Sequence, residues 1–174
     1  TKDSWRRYKR EGAPEYEVLE PGYKYNMLDL QAALGVCQLP KLDRFNARRA
    51  HLAERYDELL AALPEFEPLG RVPYPHRHAW HLYVARLKPG VLRIDRNEVL
   101  DELARLNIGA ALHFPPLHVQ PYYARKYGLR PEDCPVAADV GARIMSLPLY
   151  PTLEEGDQDD VIEALRRVVT CNRR

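Results

Sequence analysis

Apolar residues recur at Leu30, Ala33, Leu34 and Cys37, the i, i+3, i+4, i+7 spacing that lays one apolar stripe along a helix. Asn26 stands where that helix needs its N-cap, and Asp29 three residues on makes a variant of the capping box. Pro40 has no amide to continue the ladder, so the helix should end or kink there. Leu42, Phe45, Leu52, Tyr56, Leu59 and Leu63 then carry a second helical stripe to Pro64. Residues 26–63 therefore predict a long, bent helical spine.

The period changes after a Pro-rich connector from Pro64 to Pro75. Trp80, His81, Leu82, Tyr83 and Val84 alternate as a half-buried strand, which predicts Trp80, Leu82 and Val84 on the inner face. Asp95, with Glu98 three residues later, opens a helix through Val99, Leu103 and Leu106 that Asn107 and Gly109 close. Residues 110–114 read as a second strand stopped by Pro115 and Pro116. Short helices follow at 122–127, ending at Gly128, and at 135–144, then a strand at 144–147. Val161, Ile162, Leu165, Val168 and Val169 mark a last helix. A few strands separated by helices and loops, too few for a doubly wound sheet, define an α+β layer.

Residues 1–25 fit neither period. Trp5, Tyr8, Tyr16, Tyr23 and Tyr25 are spread among charges, and Pro14 and Pro21 interrupt any helix, so this part reads as an extended aromatic arm. With 174 residues, the chain is one domain with an arm. Its opening Thr-Lys-Asp suggests a fragment boundary. The 26 Lys and Arg against 25 Asp and Glu leave a net charge of +1, without the basic footprint of a nucleic-acid binder. No apolar run reaches the roughly 20 residues of a membrane-spanning helix. Cys37, Cys134 and Cys171 form no close pair, and the start lacks a secretory pattern; a reducing, cytoplasmic setting is the expectation.

Three groups of residues could carry chemistry. At Gly22–Met27 a helix start offers backbone N–H groups beside Lys24 and Asn26, suited either to ordinary capping or to holding an oxyanion such as phosphate. His76, His78 and His81 have the spacing HxHxxH, but a loop followed by a strand would present no common face, so no metal site is expected. His113, His118, Tyr122 and Tyr123 flank the Pro-Pro bend, where a loop presents polar groups either to a ligand or to its own neighbours. Walker, Rossmann and nucleophile-elbow patterns are absent from the sequence.

The stretch GYKYNMLDLQAALGVCQLPKLDRFNARRAHLAERYDELL resembles the DegT/DnrJ/StrS group of sugar aminotransferases, and the likeness continues through HAWHLYVARL, NIGAALHFPPLHVQPYY and SLPLYPTLEEGDQDDVIEAL. It covers nearly all of residues 5–169 in order. GYKYN together with LHFxPLHxQxYY is most similar to the branch that aminates a UDP-4-keto-pentose for lipid A. The resemblance implies the small C-terminal domain of a fold-type I enzyme: a long bent helix, then a small antiparallel sheet with flanking helices. The boundaries expected are an arm at 1–25, a spine at 26–63 and a small domain at 64–174.

The resemblance further implies a homodimer that uses pyridoxal 5'-phosphate (PLP) to move an amino group from L-glutamate to C4 of a nucleotide-linked keto sugar. The lysine that holds PLP as a Schiff base would lie upstream, since Lys2, Lys9, Lys24, Lys41, Lys88 and Lys126 have no such context. The isolated segment should therefore be inactive. Lys24 and Asn26 would contact the PLP phosphate of the neighbouring subunit; many relatives carry Asn and Arg at these two positions. His118 and Tyr123 would line the sugar-nucleotide pocket, and His81 and His113 would be structural or pocket-lining. A non-catalytic regulatory or assembly relative of the same fold is the alternative.

Overall fold

The computed structural model describes Tyr23 and residues 25–174. Most of the expected aromatic arm, and Lys24, lie outside the described residues. The chain divides after Pro40 into two units.

In the first unit, helix α1 spans Asp29–Gln38. Its N-cap is Leu28, not Asn26 as the sequence suggested: Leu28 is extended (φ −72°, ψ 149°), and its amide donates to Gln31 Oε1 at 3.0 Å. The helix therefore begins two residues later than expected, and Asn26 precedes the cap. None of its residues is buried, and Leu30 and Leu34 of the predicted stripe are 82% and 62% exposed. At Pro40 the helical pattern gives way to a 3-10 turn over Leu39–Lys41, as an imino acid without a donor requires.

The second unit begins with α2, Leu42–Leu60, which buries Leu52, Ala53, Tyr56 and Leu60. Its sheet has three antiparallel strands in the order β1 (Phe66–Pro68), β2 (Tyr83–Leu87), β3 (Ile144–Leu147). Register pairs Phe66 with Leu87, Tyr83 with Leu147 and Ala85 with Met145, and all six are buried, so one face of the sheet forms the core floor. On the same register Glu67 lies opposite Arg86 and accepts from its Nη2 at 2.7 Å.

Two sequence expectations fail here for local reasons. The strand expected at Trp80–Val84 starts at Tyr83 and has the opposite phase, with Tyr83, Ala85 and Leu87 inward. Trp80 adopts φ +47°, which breaks the extended chain, and Tyr83 is held inward by donating its phenol proton to Asp57 Oδ1 at 2.7 Å. Burial, together with that neighbouring carboxylate, pushes the Tyr83 phenol well above its ordinary pKa. Residues 110–114 form no strand; a single antiparallel bridge joins Ala111 to Ser146 before the two prolines remove the next donors. The short β1, inside the Pro-rich connector, escaped the pattern because three residues ending in Pro68 show no alternation.

The remaining helices follow their sequence signals. Asp95 accepts from the amides of Asn97 (2.8 Å) and Glu98 (2.9 Å), while its own amide donates to Glu98 Oε2 (2.8 Å), a complete capping box for α3, Arg96–Arg105. Asn107 leaves that helix at φ +62°. Helix α4 spans Pro121–Tyr127 and ends on Gly128 at φ +65°; α5 spans Pro135–Arg143. Helix α6, Glu155–Asn172, buries Val161, Ile162, Leu165, Val168 and Val169, as predicted. Among the described residues no helix is long and apolar enough to cross a membrane.

Helices α2 and α6 are joined twice: by buried Gln158, whose Nε2 donates to Leu52 O at 2.9 Å, and by an exposed cluster in which His51 and Arg55 meet Glu155 and Asp159. The hydrogen bond to His51, reinforced by Arg55 and Arg48, holds the Glu155 carboxyl below its ordinary range. A depressed carboxylate contributes stability above its unfolded pKa, and that contribution is lost as pH falls through its folded value. Glu155→Gln should therefore lower the urea midpoint at about pH 7 and lower it progressively less as the pH falls below the ordinary carboxylate range. Leu165→Ala, at a fully buried position, should cost about 3 kcal/mol in urea denaturation whatever the pH.

Candidate functional site

Residues 111–127 form a bend whose polar groups are fixed from below by β3 and α5. The bridge supplies the first attachment: Ala111 N donates to Ser146 O at 3.0 Å, and Ser146 N to Ala111 O at 2.8 Å. The second follows two residues on, where His113 Nδ1 lies 2.8 Å from Ser146 Oγ. The third is steric. A Cβ at Gly141 would sit 2.6 Å from Pro116 Cδ and closer still to Cγ, so only glycine lets α5 approach the Pro-Pro bend this closely.

Past the bend, a 3-10 turn over Leu117–Val119 buries His118 to 6% exposure. Its Nε2 has no hydrogen-bond partner among the described residues. An unpaired buried imidazole nitrogen is costly unless a ligand or water satisfies it, which marks His118 as a ligand candidate on its own chemistry. Pro121 starts α4 at a position where no amide is needed, and three tyrosines follow. Tyr123 and Tyr127 stack at 6.4 Å, Tyr122 meets Tyr123 edge-on at 5.2 Å, and Lys126 lies 5.3 Å from the ring centres of both Tyr122 and Tyr127. The aromatic face thus carries one cation, with Tyr123 partly exposed.

His113 lies beside the Ala111 bridge, His118 on the 3-10 turn over Leu117–Val119 and Tyr123 on α4. Asn26 belongs to the other unit, where its side chain is exposed. Sequence reasoning passed over Ser146 and Gly141. A glycine inside the helical pattern of 135–144 was the available signal for the second; nothing distinguished Ser146.

Two histidines of the HxHxxH run are engaged separately. His76 Nδ1 lies 2.9 Å from Tyr74 O, and His78 Nδ1 accepts from Trp80 N at 2.8 Å. They border a cavity of ≈ 540 Å³ with His81, Trp80 and Tyr83. The half-buried indole of Trp80 lies 4.2 Å from the His78 ring, 4.6 Å from the Arg71 guanidinium and 6.3 Å from the Tyr83 ring. Among the described residues no group of three or more His, Cys, Asp or Glu is gathered as a metal requires.

A small antiparallel sheet backed by helices, with a polar and aromatic bend on its β3 side, is an α+β arrangement. The chain matches the DegT/DnrJ/EryC1/StrS aminotransferase family over residues 1–166, and it belongs to that family. It is 43% identical over 173 residues to the spore coat polysaccharide biosynthesis protein SpsC of Bacillus subtilis, an alignment covering 97% of this chain and 43% of SpsC. The PLP form of Spr1654 from Streptococcus pneumoniae superposes with a TM-score of 0.79 at 30% identity, covering 92% of this chain and 40% of that one; apo and PMP forms align similarly. DesV of S. venezuelae, in complex with a ketimine intermediate, gives 0.75 at 30% identity over 94% of this chain and 43% of DesV. The chain thus spans under half the length of these relatives.

Gly141→Ala should push Pro116 off α5 and displace the bend. The expected outcome is a change in the imidazole NMR signals of His113 and His118, with those of His51 unmoved; unchanged His113 and His118 signals would show that α5 yields instead.

Proposed function

We propose that the full-length protein carrying this chain is a PLP-dependent aminotransferase that transfers an amino group from L-glutamate to the C4 keto group of a nucleotide-linked sugar, for lipid A or another surface glycan. Membership of an aminotransferase family over residues 1–166 carries the proposal. Its GYKYN and LHFxPLHxQxYY motifs favour a UDP-linked pentose as acceptor. The SpsC likeness supports a role in polysaccharide synthesis in general.

In this reading residues 1–25 are an arm from a preceding large domain, 26–63 a helical spine and 64–174 the small domain, in a cytoplasmic homodimer. The exposed apolar side chains of Leu30, Leu34 and Val36 on α1, with Met27, Leu28 and Leu39 flanking it, support burial of α1 in the assembled enzyme. Residues 1–174 alone turn over no substrate, because none of their lysines has the context of the PLP-bearing one.

The residues before α1 fit a phosphate. Among the described residues no side chain accepts from the first-turn amides, because the N-cap Leu28 carries no acceptor. Those amides point out of the helix start and favour an oxyanion, although Asp29 offsets part of the dipole. Asn26, exposed just ahead of them, and Lys24 would hold the PLP phosphate across the dimer. When bound, PLP supplies the electron sink for amino transfer. The chain's own share is to orient substrate: His118 Nε2 and Tyr123 bind the sugar nucleotide at the bend, and His113 lines the same pocket.

Purified full-length protein should bind PLP and convert a UDP-4-keto-pentose in the presence of L-glutamate, followed by chromatography of the amino sugar. Conversion of a dTDP-4-keto-hexose alone would transfer the reading to another branch; no PLP binding would refute it. Asn26→Ala and Lys24→Ala, made singly, should show which residue contacts the phosphate, the one that does raising the PLP dissociation constant about ten-fold.

A further inference from the structure

We infer that Ser146 is a positioning residue for His113: its hydroxyl donates to Nδ1 and so keeps the ring proton on Nε2, making Nε2 a hydrogen-bond donor to an oxygen of the sugar substrate. The inference rests on the proposed reading of the bend as the sugar side of the site.

The argument starts from where Ser146 sits. It is buried on β3, opposite Val84, with Met145 and Leu147 on either side locked into the core. Its backbone amide and carbonyl are both used by Ala111. Its Cα is therefore fixed from both directions, and Oγ has little freedom beyond rotation. Among the described residues, the one hydrogen-bond partner of that oxygen is His113 Nδ1, at 2.8 Å.

A buried hydroxyl has a proton to place, and leaving it without an acceptor is unfavourable. If Nδ1 carried the ring hydrogen, Ser146 Oγ would have to accept it, and its own proton would have no described acceptor. If Nδ1 is bare, the Ser146 hydroxyl donates to it and both groups are satisfied. The second arrangement puts the hydrogen of the neutral ring on Nε2. The ring's remaining polar atom is then a donor, matched to a hydroxyl, carbonyl or phosphate oxygen and unsuited to an N–H.

The bridge at Ala111 and the contact of Pro116 with Gly141 bracket His113 on both sides along the chain. The ring is thus held by its backbone as well as by Ser146. His118 lacks such a partner for its Nε2, so its tautomer is left to the ligand.

The test uses the full-length protein, labelled with ¹⁵N-histidine, and long-range proton–nitrogen correlation spectra. Wild type is expected to show His113 protonated on Nε2. Ser146→Ala should shift the ring toward a mixture of tautomers and raise KM for the nucleotide-sugar acceptor about five-fold, with kcat changed less than about two-fold. Ser146→Thr, which keeps the hydroxyl, should restore both. A wild-type ring protonated on Nδ1, or an unchanged tautomer in Ser146→Ala, overturns the inference. His113→Ala separates it from the reading it rests on: an unchanged KM would remove His113 from the sugar site and with it the role given to Nε2, while the spectra still report on the Ser146 contact.

Discussion

The antiparallel pairing of β3 with β2 is the constraint on which both the core and the bend depend. Through it Met145 and Leu147 meet Ala85 and Tyr83 on the buried face of the sheet. In an antiparallel strand the amide and carbonyl of one residue point to the same side, and those of the next to the other. Ser146, between the two core residues, therefore turns both backbone groups away from β2 and gives them to Ala111. A slip of one residue would exchange the faces, exposing Met145 and Leu147 and withdrawing Ser146 from the bend. Hydrophobic burial and placement of the polar bend are thereby tied to the same register.

The helices reinforce that register from opposite sides. Helix α3 is tied to the start of β3 by Arg96, whose Nη1 donates to Ile144 O at 2.5 Å. Helix α5 ends directly in β3, and Arg143 at its last turn pairs with Asp139 and also donates to Leu87 O at 3.3 Å. The pairing holds the Asp139 carboxyl below its ordinary range. Thus the segment that meets Pro116 at Gly141 is tied to the sheet within a few residues of that contact. The bend is consequently held by short-range geometry from regular elements, the condition under which a loop can present side chains in fixed positions.

Much of this was legible in the chain. The capping box at Asp95 and Glu98, the stripe from Val161 to Val169 and the stop at Gly128 each have a local cause, so their elements appear where the pattern put them. The failures have non-local causes. The phase of β2 is decided by Asp57 on α2 and by the left-handed turn at Trp80, neither of which alternation can register. The Leu30 and Leu34 stripe identified a helix correctly, yet its side chains are exposed, since periodicity records which face is apolar and not what covers it. His113, His118 and Tyr123 were candidates from their place around the Pro-Pro bend, and the resemblance added their expected roles, whereas Ser146 became visible only when β3 was paired.

That distinction bears on how the bend acquires chemistry. His118 and His113 are both histidines five residues apart on one loop, yet their surroundings differ. One ring is buried with an unpaired nitrogen, and the other rests on a hydroxyl that comes from the sheet. A nitrogen without a partner can accept or donate as its ligand requires, whereas a nitrogen opposite a committed donor has its role set before any ligand arrives. Under the proposed function, the same residue type would therefore supply one adaptable and one fixed contact to a sugar whose oxygens both donate and accept. The fold makes the difference through one strand residue, whose backbone holds the loop while its side chain orients the ring.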